Sequence, residues 1–249
     1  MSSSTSSGRE EPGREVNPAG REEPGREVNL AGREEPGREV NLAGNVEPGQ
    51  ALNRGEATPP RQAATVILLR GGEHTLELLL VKRTEKARFM GGVWVFPGGA
   101  VDEDDPPSRG NAHRAAAVRE LAEEAGVAIA DADALVEFSR WITPEEVTVR
   151  FDTRFFLAEL PSGQEPKVDG EECVEEGWFT PQGALDAHGR EEIVLVFPTI
   201  KHLEQLGAFS NVAELLRYAA GREVLPVQPK VSFDGEVARV LLPGEPGYE

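Results

Sequence analysis

Three glutamates, Glu120, Glu123 and Glu124, stand at relative positions i, i+3 and i+4 in the stretch Arg119–Val127, downstream of a Phe96-Pro97-Gly98-Gly99 turn. On a helix this spacing puts three carboxylates on one face within a turn. Hard oxygen ligands so arranged suit Mg²⁺ or Mn²⁺, which take carboxylates together with retained waters and substrate phosphates. An isolated E-x-x-E-E also describes a solvated acidic helix face; the Gly-Gly turn and the residues around the acids favour the cation site. Gly98 and Gly99 would let backbone approach a metal-bound group closely. Arg119 has two readings, a brace to an upstream acid or an i,i+4 pair with Glu123. Arg83 and Arg88 have the fork geometry that holds phosphate, and read equally as surface arginines.

The elements that must position these residues form an α+β pattern. Ala63–Arg70 and Leu76–Arg83 read as a hairpin across Gly71-Gly72, and Val93–Phe96 as a short buried strand. Asn111 is placed to cap a helix that ends at Gly126. Its Val118, Leu121, Ala122 and Ala125 make an apolar stripe apart from the acids. Val147–Leu160 alternates as a strand, with Arg150, Asp152 and Arg154 on its solvated face. Cys173–Phe179 and Ile193–Phe197 read as further strands around a short helix at Pro181–His188. Helices follow at Thr199–Leu206 and Val212–Ala220, the latter with Asn211 and Glu214 spaced for a capping box. Val227–Leu242 makes a last hairpin around Asp234-Gly235. Mixed strands, a central helix and a C-terminal helical extension result.

Residues 1–60 stand apart. A twelve-residue unit, GREEPGREVN plus Pro-Ala or Leu-Ala, starts at Gly8, Gly20 and Gly32, with a decayed copy from Gly44. Such units hold almost no apolar side chain to bury, which predicts a disordered tail rather than a solenoid. The folded domain is then 61–249, with nineteen basic against thirty-three acidic side chains, a charge of −14. So acidic a domain is a poor candidate for non-specific nucleic-acid binding, though metal ions and a few local Arg or Lys would let it bind anionic metabolites. Cys173 is the single cysteine, so no internal disulfide forms and a reducing compartment fits. There is no run of 18 apolar residues and no signal-peptide h-region, so no membrane segment is expected and a cytoplasmic location is the default. His74, His113, His188 and His202 show no metal spacing, Cys173 reads as a small buried hydrophobe, and the tryptophans Trp94, Trp141 and Trp178 as core.

The chain resembles the Nudix hydrolases, whose box reads G-x5-E-x7-R-E-U-x-E-E-x-G-U, with U aliphatic. Gly99 fits the opening and residues 119–127 fit the second half throughout. One departure stands out: Asp105 replaces the first Glu, and thirteen residues rather than seven separate it from Arg119. Asp102, Glu103, Asp104 and Asp105 are the candidates to pair with Arg119. Upstream, Leu79-Leu80-x-x-Arg83-Thr84-x3-Arg88-x3-Gly92-x3-Phe96-Pro97-Gly98-Gly99 is similar to the signature preceding the box in Nudix enzymes that cleave coenzyme A, with Val81 in place of Thr. Trp141-Ile142-Thr143-Pro144, Arg150–Phe156 and the lengthened box resemble the branch of acyl-CoA diphosphatases.

This resemblance implies an α/β/α sandwich with a mixed sheet and a divalent metal, Mg²⁺ or Mn²⁺. Glu120, Glu123, Glu124 and a Gly98 or Gly99 carbonyl would be its ligands, and Glu120 the first choice of general base. The later acids Glu171, Glu172, Glu175 and Glu176 compete for that last role. The implied substrate is a small diphosphate, CoA or acyl-CoA, with no nucleic acid or membrane partner and with a homodimer left open. Two other functions stay open: the same chemistry on nucleotide sugars, dinucleotides or damaged nucleotides, and a non-catalytic nucleotide sensor that acts on a partner through the tail. Retention of all three helical acids favours catalysis.

Overall fold

A computed structural model describes residues 40–41, 52–53, 55–87, 89–106, 112–234 and 237–249. The chain divides into two units, Met1–Glu34 and Glu35–Glu249; the first lies outside the described residues, as do Arg88, the expected cap Asn111 and the turn residue Gly235.

The strands are β1 (Val40–Asn41), β2 (Arg61–Arg70), β3 (Glu77–Arg83), β4 (Trp94–Val95), β5 (Gly98–Ala100), β6 (Val136–Ile142), β7 (Phe151–Glu159), β8 (Cys173–Phe179), β9 (Pro226–Val227), β10 (Lys230–Asp234) and β11 (Val237–Leu241). The helices are α1 (Ala112–Ala125), α2 (Pro181–Gly189), α3 (Phe197–Leu206) and α4 (Val212–Ala219). The main sheet runs β4-β3-β2-β7-β6-β9, with β5 paired to β2 and β8 to β3. It is mixed: β2 runs parallel to β7 and antiparallel to β3 and β5.

Alternation along the central strands builds two cores. Val66 and Leu68 of β2, with Leu79 and Val81 of β3, pack against Ala116, Ala117, Leu121 and Ala125 of α1. Ile67 and Leu69, with Leu78 and Leu80, face the other way onto Ala184, Leu203, Leu206 and Leu215 of α2, α3 and α4. A two-residue period through a buried sheet therefore demands helices on both faces. The α/β/α sandwich and mixed sheet are as the resemblance implied. The C-terminal helices supply its second helical layer.

Local signals behave as their chemistry requires at several ends. Gly126 adopts φ +65° just past α1, and its N–H donates to Ala122 O at 3.1 Å. Asn211 accepts from Glu214 N at 2.9 Å, while Glu214 reaches back to Ser210 N at 2.9 Å. Three readings are corrected. Ile193–Phe197 is not a strand: Leu195 alone bridges Trp94, and Phe197-Pro198 already begins α3, where proline suits the first turn. The strand expected from Val147 starts only at Phe151. The Arg150 side chain is buried rather than solvated, donating to Thr143 O at 3.1 Å and Thr58 O at 2.7 Å, and Asp152 is likewise buried, holding Arg140 at 2.7 and 2.8 Å. β6, unread in the sequence, fills the sheet beside β7.

Candidate active site

The Gly-Gly turn becomes β5, laid antiparallel on β2 with Gly98 opposite Thr65 and Gly99 opposite Ala64. Neither position has room for a side chain. A Cβ on Gly98 would lie 2.5 Å from Ala64 O, and one on Gly99 2.5 Å from Glu120 Oε1. Glycine here lets the turn lie directly on the carboxylate of α1.

Arg119 welds that turn to the helix. Its Nε and Nη2 donate to the two oxygens of Asp105, each at 3.0 Å, and Nη2 also to Ala100 O at 3.0 Å. Nη1 reaches Glu120 Oε1 at 2.7 Å and Glu123 Oε2 at 3.1 Å. Both sequence readings of Arg119 hold at once, and of the four candidate acids Asp105 takes the bidentate place. Asp105 is nearly buried, and its hydrogen bonds from Arg119 hold its carboxyl below the usual carboxylate range. The same partners keep Arg119 charged. A longer loop thus delivers a shorter acid to the same guanidinium.

Glu124 is the most enclosed acid of the site, 3 % exposed. It accepts from Gly98 N at 2.9 Å and from Arg83 Nη1 at 3.3 Å. Burial pushes its pKa up to about 7, against the pull of Gly98 and Arg83, with Glu120 and Glu172 adding repulsion. Glu120 is also raised, chiefly by burial and despite Arg119. Glu123 differs: its carboxylate is 59 % exposed and turned to Arg119. Among the described residues no three acidic, His or Cys side chains converge as a ready metal cage. The structure therefore brings Glu120 and Glu124 together, keeps Glu123 at the rim, and lines the same cleft with Gly98, Gly99 and Arg83.

Of the later acids, Glu172 lines this cleft. Its N–H donates to Asp169 Oδ2 at 2.9 Å and its carbonyl accepts from Thr84 N at 2.8 Å, which fixes the turn carrying it. Glu175 is drawn off to Lys82 at 2.7 Å, Glu176 accepts from Val168 N at 3.4 Å, and Glu171 faces a side pocket with Lys86. The Asp169-Gly170 pair, a turn signal not used in the sequence reading, marks where that loop ends.

Beyond the acids the cleft, about 630 Å³, is walled by Phe89, Trp141, Phe151, Phe155 and Phe197. His202 lies under this wall, 1 % exposed, with its ring centroid 4.2 Å from that of Phe155 and 5.5 Å from that of Trp141. Its Nδ1 donates to Pro198 O at 2.7 Å and Nε2 takes the Ser139 hydroxyl at 2.6 Å, the tautomer these partners require. Burial lowers its pKa to about 4, so it is a neutral core group. No motif marked it in the sequence. Among the described residues no helix is long and apolar enough to cross a membrane.

The NUDIX domain family model matches residues 59–197, more than half of the chain. The chain belongs to the Nudix family. It is a hydrolase of that family, with a Glu-rich helix and Gly-Gly turn packed as described. It is 29% identical over 224 residues to the putative nudix hydrolase 7 of Caenorhabditis elegans, covering 76% of this chain and 74% of that protein. It is 30% identical over 120 residues to the acyl-coenzyme A diphosphatase NUDT19 of Homo sapiens, covering 46% of this chain but only 32% of the human protein. Among solved structures, a NUDIX hydrolase from Alicyclobacillus acidocaldarius aligns with TM-score 0.58 and 28% identity over 64% of this chain and 96% of that one. Phe197–Thr199, Pro229 and Val240, at or beyond the end of the family match, close one side of this Nudix cleft.

Proposed function

We propose that this Nudix hydrolase is a divalent-metal-dependent diphosphatase that cleaves the diphosphate of CoA or acyl-CoA, giving a 3′-phosphorylated adenosine nucleotide and (acyl-)phosphopantetheine. The observation that carries the chemistry is the pair of buried Glu124 and half-buried Glu120, set against a glycine turn at the head of a large cleft. Buried like charges with raised pKa values are what a cation relieves, and hard oxygens fit Mg²⁺ or Mn²⁺. Glu120, Glu124 and the Gly98–Gly99 carbonyls would hold it, Glu123 joining from the rim. When bound, the ion neutralises the diphosphate and the charge that develops on it.

The protein's own part is positioning and proton transfer. Water attacks one phosphorus, the bridging P–O bond breaks, and the departing phosphate takes the electron pair. Glu120, facing the cleft, takes the proton of the water, and Glu172 is another carboxylate within the cleft. Arg119 keeps Glu120 oriented, and Arg83 holds Glu124 while presenting its remaining N–H groups toward phosphate. The CoA assignment is supported by the Leu79–Gly99 signature and by the partial likeness to an acyl-CoA diphosphatase. A panel of CoA, acyl-CoAs, NADH, ADP-ribose and nucleoside triphosphates with Mg²⁺ or Mn²⁺, products read by mass spectrometry, tests it. CoA or acyl-CoA should be the best substrate; preference for ADP-ribose or a triphosphate would move the chain to another Nudix activity.

A further inference from the structure

The cleft carries a cation that the diphosphate chemistry does not use. Arg61, Ala63 and Thr65 all line it, three alternate residues of β2 and hence one face of one strand. The strand fixes where Arg61 stands relative to the acids. Ala64 is opposite Gly99, whose Cα abuts Glu120, and Arg61 lies three residues away, about 10 Å along the strand.

The backbone at Arg61 is held firmly. Its N–H donates to Arg150 O at 2.9 Å, and it pairs with Phe151 in the parallel ladder. Buried Arg150 ties Thr58, three residues upstream, to the Thr143 carbonyl. The guanidinium lies 5.9 Å from the centroid of the Phe151 ring, itself part of the cleft wall, and remains exposed.

Among the described residues, the other arginines on the strands and helix around the acids are engaged. Arg83 is on Glu124, Arg119 on Asp105 and Glu120, Arg140 on Asp152, Arg154 on Glu137, and Arg150 on two carbonyls. Among the described residues Arg61 has no carboxylate within ion-pair distance. In a domain of charge −14, an arginine in a substrate cleft without an acid partner leaves its fork for an anion brought from outside.

We propose that Arg61 binds a second anionic group of the substrate, a phosphomonoester carried on the ribose next to the scissile diphosphate. This rests on the diphosphatase reading for the position of the diphosphate, and it names what the far end of the same cleft selects. A phosphomonoester one sugar removed from the diphosphate spans a distance of the same order as the about 10 Å that separates Arg61 from the glycine turn along β2. Phe151 beneath the guanidinium orients the fork and offers an apolar face beside it. Both a ribose 3′-phosphate and a ribose 2′-phosphate present this chemistry.

Binding and turnover distinguish the sources and separate this proposal from the one it rests on. Calorimetry on the full chain with adenosine 3′,5′-bisphosphate, adenosine 2′,5′-bisphosphate and AMP reads the site without catalysis. One bisphosphate should bind about tenfold or more tighter than AMP, as one charge-assisted contact implies, and the better isomer names the source. Arg61→Gln should erase that difference and Arg61→Lys restore part of it. In turnover, Arg61→Gln should lower the selectivity ratio of kcat/KM for CoA over 3′-dephospho-CoA by a similar factor, mostly through KM, if the 3′ isomer binds better. Equal binding of all three nucleotides, or a difference that survives Arg61→Gln, overturns the Arg61 assignment even if CoA is cleaved. Absence of CoA turnover with intact bisphosphate selectivity overturns the diphosphatase reading instead.

Discussion

Acidification should expose the buried imidazole under the cleft wall. His202 has a native pKa of about 4 because burial disfavours its charged form, whereas an unfolded histidine titrates near 6.5. Below that higher value the unfolded chain binds a proton that the native one refuses. The contribution of His202 is therefore whole above pH ~6.5 and drains away as pH falls toward about 4. Between pH ~7.5 and ~5 the linkage amounts to about 2 kcal/mol. Glu124, raised to about 7, works the other way: its native state takes up a proton over the same range and gains stability as pH falls. The two nearly cancel, so the wild-type profile alone does not separate them. The perturbation that separates them is His202→Gln, which keeps Glu124 and removes the imidazole. Its Tm, lower at pH ~7.5 through lost packing on Phe155 and Trp141, should rise relative to wild type by about 4 to 8 °C on going to pH ~5. Scanning calorimetry at matched pH values reads this difference directly. A Tm gap that stays constant across the range would refute a neutral, desolvated His202.

Other outcomes follow from the site. Asp105→Asn halves the bidentate hold on Arg119 and should cost about 1 to 3 kcal/mol in urea unfolding, with kcat falling while KM changes little. Stabilisation from the depressed carboxyls of Asp105 and Asp152 is present above the normal aspartate pKa; it should be lost only as pH drops below about 4, seen as an acid limb in the same calorimetry. Gly99→Ala drives a methyl into Glu120 and should reduce turnover at least about tenfold while circular dichroism stays native; full activity would exclude the tight turn–carboxylate packing. Asp169→Ala frees the turn that carries Glu172 and should lower kcat about two- to tenfold, an effect absent in a Glu172→Gln background if the turn acts through that acid.

The central helix, the glycine turn and the hairpin β2–β3 were legible because local chemistry agrees with the fold: apolar alternation, a stripe on α1, and Gly126 at a left-handed C-terminus. The unread strand β6 shows why other parts were not. Its Glu137 and Arg140 pair with Arg154 and Asp152 on β7, so cross-strand charges satisfy each other and mask the hydrophobic period. Ile193–Phe197 failed in the opposite sense, a short apolar run that looks like a strand and instead leads into a proline-started helix. At the site, the residue types on α1 announced a cation centre, but Glu123 faces Arg119 at the rim, which spacing alone does not tell. Asp105 and Glu172 were each one of four acids the sequence offered, and only contacts across the fold choose between them, whereas Arg61 and His202 owe their places to cleft walls drawn from separate elements, beyond the reach of any local motif.

The most direct test is hydrolysis of CoA by the purified 249-residue chain with Mg²⁺ or Mn²⁺, followed by mass spectrometry and repeated with a chelator and with Glu124→Gln. The expected result is adenosine 3′,5′-bisphosphate plus phosphopantetheine in the metal-supplied wild type, with turnover lost on chelation and reduced at least about a hundredfold in the folded variant. Turnover that persists without metal, or survives in Glu124→Gln, would contradict a diphosphatase centred on the buried glutamates.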